Sequence, residues 1–169
     1  MQLRFLALLF AIAQAIQARE SCIAATTASD INKRLKRRGE GARLLLCPQA
    51  LISVDESIVF TAAHQSIATY GLATGQERAV LQLLDGLDEK EAALSTLIDA
   101  RIGGRITGLR LDGGRGVFGA IPSGGAVIEA GGHSTEIMDV EIFEPRGQAA
   151  IRLSGKLSPK HTHGLAEFK

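Results

Sequence analysis

Seven polar residues in the second half of the chain are the ones that could do chemistry together: Asp112, Arg115, Glu129, His133, Asp139, Glu144 and Arg146. Glycoside hydrolysis needs two carboxylates, one on each side of the scissile bond, acting as acid and as base or nucleophile. The acids here stand singly, with no Asp-Asp pair and no Gly-His-Gly string. Standing alone, Asp112 and Glu144 suit turn amides and Arg146 suits a neighbouring acid, because turns recruit such side chains. The binding reading of the same stretch takes Asp112, Arg115, Glu129, Glu144 and Arg146 as rows on one surface, and it assigns none of them a catalytic role. His161 and His163 in HTHG would share one face of an extended strand, but they lack the third ligand a metal site needs, so no metal is expected. Gly113 to Gly116 and Ser123 to Gly125 are glycine-rich without the helix that a phosphate loop requires, and they read as turns.

The elements that must position these residues repeat. Ile106, Leu109 and Leu111 in ITGLRLDGG return as Ile137, Val140 and Ile142 in IMDVEIFEPRG, and GAVIEAGG (125–132) returns as QAAIRLSG (148–155). The offsets, 31 positions from Ile106 to Ile137 and 23 from Ile128 to Ile151, fall in the range where a repeat means a solenoid. Each unit alternates apolar residues and ends in glycine, the pattern of a short strand and a tight turn. Upstream, ARLLLCP, ALISV, SIVFT, SIATYG and RAVLQLL are further short strands, too closely spaced for intervening helices. The pattern predicts an all-β fold of parallel strands stacked coil on coil, with Leu109, Leu111, Ile128, Val140, Ile142 and Ile151 facing a common core. GLDEKEAALSTLI (86–98) reads as an exposed excursion that interrupts a coil. INKRLKRRG is an amphipathic helix with N-caps available at Thr27, Ser29 or Asp30 and a stop at Gly39. Placed before the first strand, it is expected to cap the stack.

MQLRFLALLFAIAQAIQA has the layout of a secretory signal peptide, Arg4 followed by an apolar run and small residues. Its uninterrupted run, Phe5 to Ala13, is nine residues, against the ~20 that a membrane span needs. Cleavage after Ala15 or after Ala18 fits. Of the 19 basic residues only Arg4 lies in this segment, which leaves 18 against 18 acidic in the mature chain. A neutral chain has no global field toward nucleic acid. Its basic residues nonetheless gather early, at Lys33, Arg34, Lys36, Arg37, Arg38 and Arg43; the solvated face is the ordinary reading of such a run, and an anionic polysaccharide or membrane surface is its functional alternative. Cys22 and Cys47, the two cysteines, read as one disulfide in a secreted chain.

LCPQA, ISVDESIVFTAAHQSIATYG, ERAVLQL, ITGLRLDGGR, GGAVIEAGG and FEPRG, in this order, resemble the opening coils of secreted fungal right-handed parallel β-helix proteins of the pectin lyase-like superfamily. The resemblance runs from about Cys22 to Leu153, and it departs at Gln148, where a tryptophan commonly follows EPRG. It implies a signal peptide over 1–18, a partial right-handed β-helix over 19–155 with an N-terminal capping helix, and a disordered or atypical tail over 156–169. The function it implies is extracellular recognition of a cell-wall or pectin-type acidic polysaccharide, without catalysis by this chain. An active lyase or hydrolase and an effector-like surface protein are the alternatives. Calcium enters only with the lyase, which would hold the polymer through clustered Asp residues and abstract a proton with Arg or Lys. No membrane contact is expected after signal removal. Fewer coils than the superfamily usually has imply an exposed last coil that self-associates. Beyond residue 18 there is no Trp, one Tyr and four Phe, so sugar recognition would rest on charge more than on stacking.

Overall fold

The computed structural model describes residues 22–25, 27–83, 94–132 and 134–154. The segment expected as a signal peptide, the tail from 156 with His161 and His163, His133, and residues 86–93 of the expected excursion lie outside the described residues. The end of that stretch is no exposed excursion, since Leu97 and Ile98 are fully buried and Ile98 opens a strand of the core. Helix α1 (Ala28–Arg38) comes first, followed by strands β1 (Arg43–Leu46), β2 (Leu51–Val54), β3 (Ile58–Val59), β4 (Ser66–Thr69), β5 (Ala79–Leu83), β6 (Ile98–Ala100), β7 (Gly104–Thr107) and β8 (Leu109–Asp112). A single helical turn, α2 (Arg115–Phe118), precedes β9 (Ala126–Gly131), β10 (Thr135–Met138), β11 (Glu141–Phe143) and β12 (Ala149–Ser154). The strands pair in parallel into three four-stranded sheets, β1-β4-β7-β10, β2-β5-β8-β11 and β3-β6-β9-β12. Every third strand returns to the same sheet, so the chain winds in stacked coils, as a β-helix solenoid does.

Side chains alternate faces along each strand, which places at least one aliphatic residue per coil on the inner side of each sheet. Three ladders result: Leu44, Ile67, Ile106 and Ile137 in the first sheet, Ile52, Leu81, Leu111 and Ile142 in the second, Ile58, Ile98, Ile128 and Ile151 in the third. Leu109, Leu111 and Ile128 are fully buried in this core. Val140, Ile142 and Ile151, from the fourth coil, pack against it half-buried, and Leu153 is 68% exposed among the described residues.

Residues before and within α1 meet the opposite end. The Thr27 side chain accepts from the Asp30 N–H (3.3 Å), and the Gly39 N–H closes the helix on the Leu35 carbonyl (3.0 Å). Ala28, Ile31 and Leu35 are buried in the core cluster. Each edge of the first coil finds a partner here: Ile23 bridges Leu46 of β1, Thr27 bridges Ser53 of β2, and Asn32 accepts from the Val59 N–H and donates to the Ser57 carbonyl beside β3. Buried Gln65 donates to the Leu35 and Gly39 carbonyls (2.9 Å each) and accepts from the Thr61 N–H. Buried polar groups persist only when satisfied in this way.

The irregular repeat has a local cause. The third coil carries the loop between β8 and β9, with α2 in it, and the fourth coil goes from β11 to β12 directly. Coils also approach closely at their corners. A Cβ at Gly147 would overlap the Gly125 carbonyl oxygen, and one at Gly104, where φ is +147°, would overlap the Phe60 ring. Only glycine fits such positions.

Cys22 and Cys47 are disulfide-bonded, with a Cα–Cα distance of 4.7 Å and a sequence separation of 25. The bond ties the segment that pairs with β1 to the end of β1. Replacing both cysteines by serine is expected to lower stability by about 3 kcal/mol through the loop that the bond closes. Urea midpoints for the two proteins check this; equal midpoints would mean that the segment holds its place without the bond.

Candidate functional site

The structure brings Asp112, Arg115, Glu144 and Arg146 to one corner, around the β8–β9 loop, and uses most of them to hold backbone. Asp112 ends β8 and its carboxylate accepts from the Gly114 N–H (2.9 Å). Glu144 sits at a positive φ of +46° and accepts from the Gly116 N–H (2.7 Å). Both therefore serve turn amides. Arg146 departs from the ion pair expected for it. Its guanidinium, buried, donates to the carbonyls of Gly119 (3.0 Å), Leu94 (3.2 Å) and Phe118 (3.2 Å) and lies 5.1 Å over the Phe118 ring. Burial pushes its pKa below the usual arginine value. Arg115 is exposed, and its N–H donates to the Glu144 carbonyl (3.2 Å).

Glu129 lies elsewhere, on the outer face of the third sheet. It accepts from the Ala126 N–H (2.8 Å) and pairs with Arg152 of the next coil (3.2 Å). Beside it in the ladder, Asp99 bonds Arg101, and that hydrogen bond holds the Asp99 carboxyl below its ordinary range. Asp139 faces a different corner, between the first and second sheets. Arg78, buried, bonds Asp139 and reaches Glu141 (2.8 Å), which also pairs with Arg110 (3.2 Å). The Arg110 guanidinium stacks over Phe143 at 5.0 Å. This cross-coil network carried no signal in sequence, since Arg78 and Asp139 stand 61 positions apart.

A groove runs along the outer face of the first sheet. Its volume is about 800 Å³, and its lining includes Arg43, Ser66, Ala68, Tyr70, Arg105, Thr107, Met138 and Asp139. The outward positions of the sheet form two rows across the coils, Arg43, Ser66, Arg105 and Glu136 in one and Leu45, Ala68, Thr107 and Met138 in the other. Small side chains at Ser66 and Ala68 make the trough, and the turn carrying Tyr70, 42% exposed, borders it. The Thr107 hydroxyl is buried and has no hydrogen-bond partner among the described residues. Arg105 pairs with Glu136 (2.7 Å). A hollow of about 250 Å³ lined by His64, Gly104, Ser134 and Glu136 adjoins the groove through Ser66 and Arg105, which line both.

Guanidinium donors, a hydroxyl and an aromatic face make a surface that can hold a polar chain carrying anionic groups. Acid–base chemistry has less to draw on, because Asp139 and Glu136 are both engaged by arginines. Among the described residues, no three His, Cys, Asp or Glu side chains gather where a metal ion could be held, and no helix is long and apolar enough to cross a membrane. The groove was legible only as alternation: its rows are the residues between inward Leu44, Ile67 and Ile106. No protein-family model, curated protein or solved structure matches the chain.

Proposed function

We propose that this is a secreted, non-catalytic protein that binds an acidic cell-wall polysaccharide along the first sheet, on a right-handed parallel β-helix of the pectin lyase-like type capped by α1. The groove with its Arg43 and Arg105 side chains, the Ser66 hydroxyl and the bordering Tyr70 carries this reading. A polyuronate offers a carboxylate to each guanidinium, hydroxyls to Ser66 and a sugar face to Tyr70. The signal-like leader and the disulfide support an extracellular site of action. The pairing of α1 and its preceding segment with all three edges of the first coil supports the cap. The engagement of the groove's carboxylates by arginines supports binding without turnover. Asp112, Glu129, Glu144 and Arg146 act in this reading as frame, holding turns or neighbouring coils, while the Arg115 side chain stays exposed.

Calorimetric titration with a short oligogalacturonate tests the reading. Arg105→Gln should weaken binding about tenfold, the loss of one charge-assisted contact. Unchanged affinity in that variant, or cleavage of the oligomer by the parent protein, would overturn it.

A further inference from the structure

We infer that the outer face of α1 is a second docking surface for the same acidic polysaccharide, an extension of the groove that engages longer chains. This rests on the groove reading for the identity of the polymer, and the surface itself stands on separate observations. Lys33, Lys36, Arg37 and Arg38 are exposed and Arg34 is half-exposed, against one acid on the helix, Asp30. Asp30, Lys33, Arg34 and Arg37 line a shallow hollow of about 250 Å³. None of Lys33, Arg34, Lys36 and Arg37 has a carboxylate in ion-pair range among the described residues.

Cations in the last turn favour a helix through its dipole, which accounts for Lys36, Arg37 and Arg38. Asp30, three and four positions before them, balances one of Lys33 and Arg34 but not both. These two stand three and four positions before Lys36, Arg37 and Arg38, and like charges at that spacing repel. With five cations against one acid, the face keeps a net repulsion that an anionic partner would offset.

The chemistry of the partner follows from what the helix lacks. Its apolar stripe, Ala28, Ile31 and Leu35, is buried in the core, so nothing remains to insert between lipids as an interfacial helix does. The face carries no aromatic residue on which a nucleic-acid base could stack. What it offers is a row of charges one helical turn apart, suited to an extended polyanion with a carboxylate on each unit. The row also leads toward the groove, because Arg38 donates to the Arg43 carbonyl (3.0 Å) and Arg43 lines the groove.

The test uses the signal-free protein and a triple variant, Lys33→Gln, Arg34→Gln and Arg37→Gln, whose fold is checked by circular dichroism and thermal unfolding. Glutamine suits a helix about as well as lysine and arginine. Lys33→Gln alone is the second variant if the triple does not fold. Long polygalacturonate should bind the triple variant about tenfold more weakly than the parent, as three exposed charge contacts imply, and the difference should shrink with added salt. A short oligogalacturonate that fills only the groove should bind both proteins equally. Equal affinity of parent and variant for the long polymer would overturn the inference and leave the groove reading standing. Failure of the parent to bind either probe would overturn both. Tighter binding of the parent to phosphatidylserine vesicles or to a DNA duplex than to polygalacturonate would overturn the assignment of the partner.

Discussion

Replacing Arg146 by alanine is expected to destabilise the protein by about 3–4 kcal/mol. Its guanidinium holds three carbonyls, of Leu94, Phe118 and Gly119, from two segments that have no ladder partner of their own. The three bonds are part-buried, so water can reach the freed carbonyls and each bond lost costs about 1 kcal/mol; the stacking on Phe118 is lost with them. Ile121 also donates to the Arg146 carbonyl (2.7 Å), so the β8–β9 loop is fastened to this one residue from both sides. Lysine should recover little, because a single ammonium cannot reproduce the planar fork that meets three acceptors. Urea unfolding of the parent, Arg146→Ala and Arg146→Lys checks this. A cost below 1 kcal/mol for alanine would mean that the loop is held by something else.

Leu111→Ala is expected to cost about 2–5 kcal/mol, as deletion of a buried leucine side chain does. Leu111 is fully buried in the ladder between Leu81 and Ile142. The same truncation should cost progressively less toward the fourth coil, with Ile142→Ala intermediate and Leu153→Ala within about 0.5 kcal/mol of the parent, the usual range for an exposed site. That gradient is a property of stacked coils, where each aliphatic residue is covered by the coils above and below it. Equal costs at Leu111 and Leu153 would contradict it.

Much of the architecture is legible in the sequence because strand alternation and corner glycines act locally. Ile106 and Ile137, like Ile128 and Ile151, fall at matching places in the repeat and do lie side by side in register. The helix stop at Gly39 and the Cys22–Cys47 bond follow from capping chemistry and from thiol count, while the choice of Thr27 among three candidate N-caps is visible only in its bond from the Asp30 N–H. What escapes is set by contacts between coils. The sequence around Arg146 points to an acid as partner, and nothing in it indicates that the β8–β9 loop and the segment before β6 together bring three carbonyls to the guanidinium. Arg78 is buried because Asp139 and Glu141 arrive two coils later. The groove depends on Ser66 and Ala68 being small beside Arg105 and Thr107, residues ordinary in a strand and informative only once the strands are adjacent.

The groove reading is tested most directly by the emission of Tyr70, the only tyrosine in a chain without tryptophan. Titrating the signal-free protein with oligogalacturonate should change that emission saturably, while no unsaturated or reducing ends are released, with or without calcium. Tyrosine emission that stays constant up to millimolar oligomer, or release of sugar ends during the titration, would contradict the account.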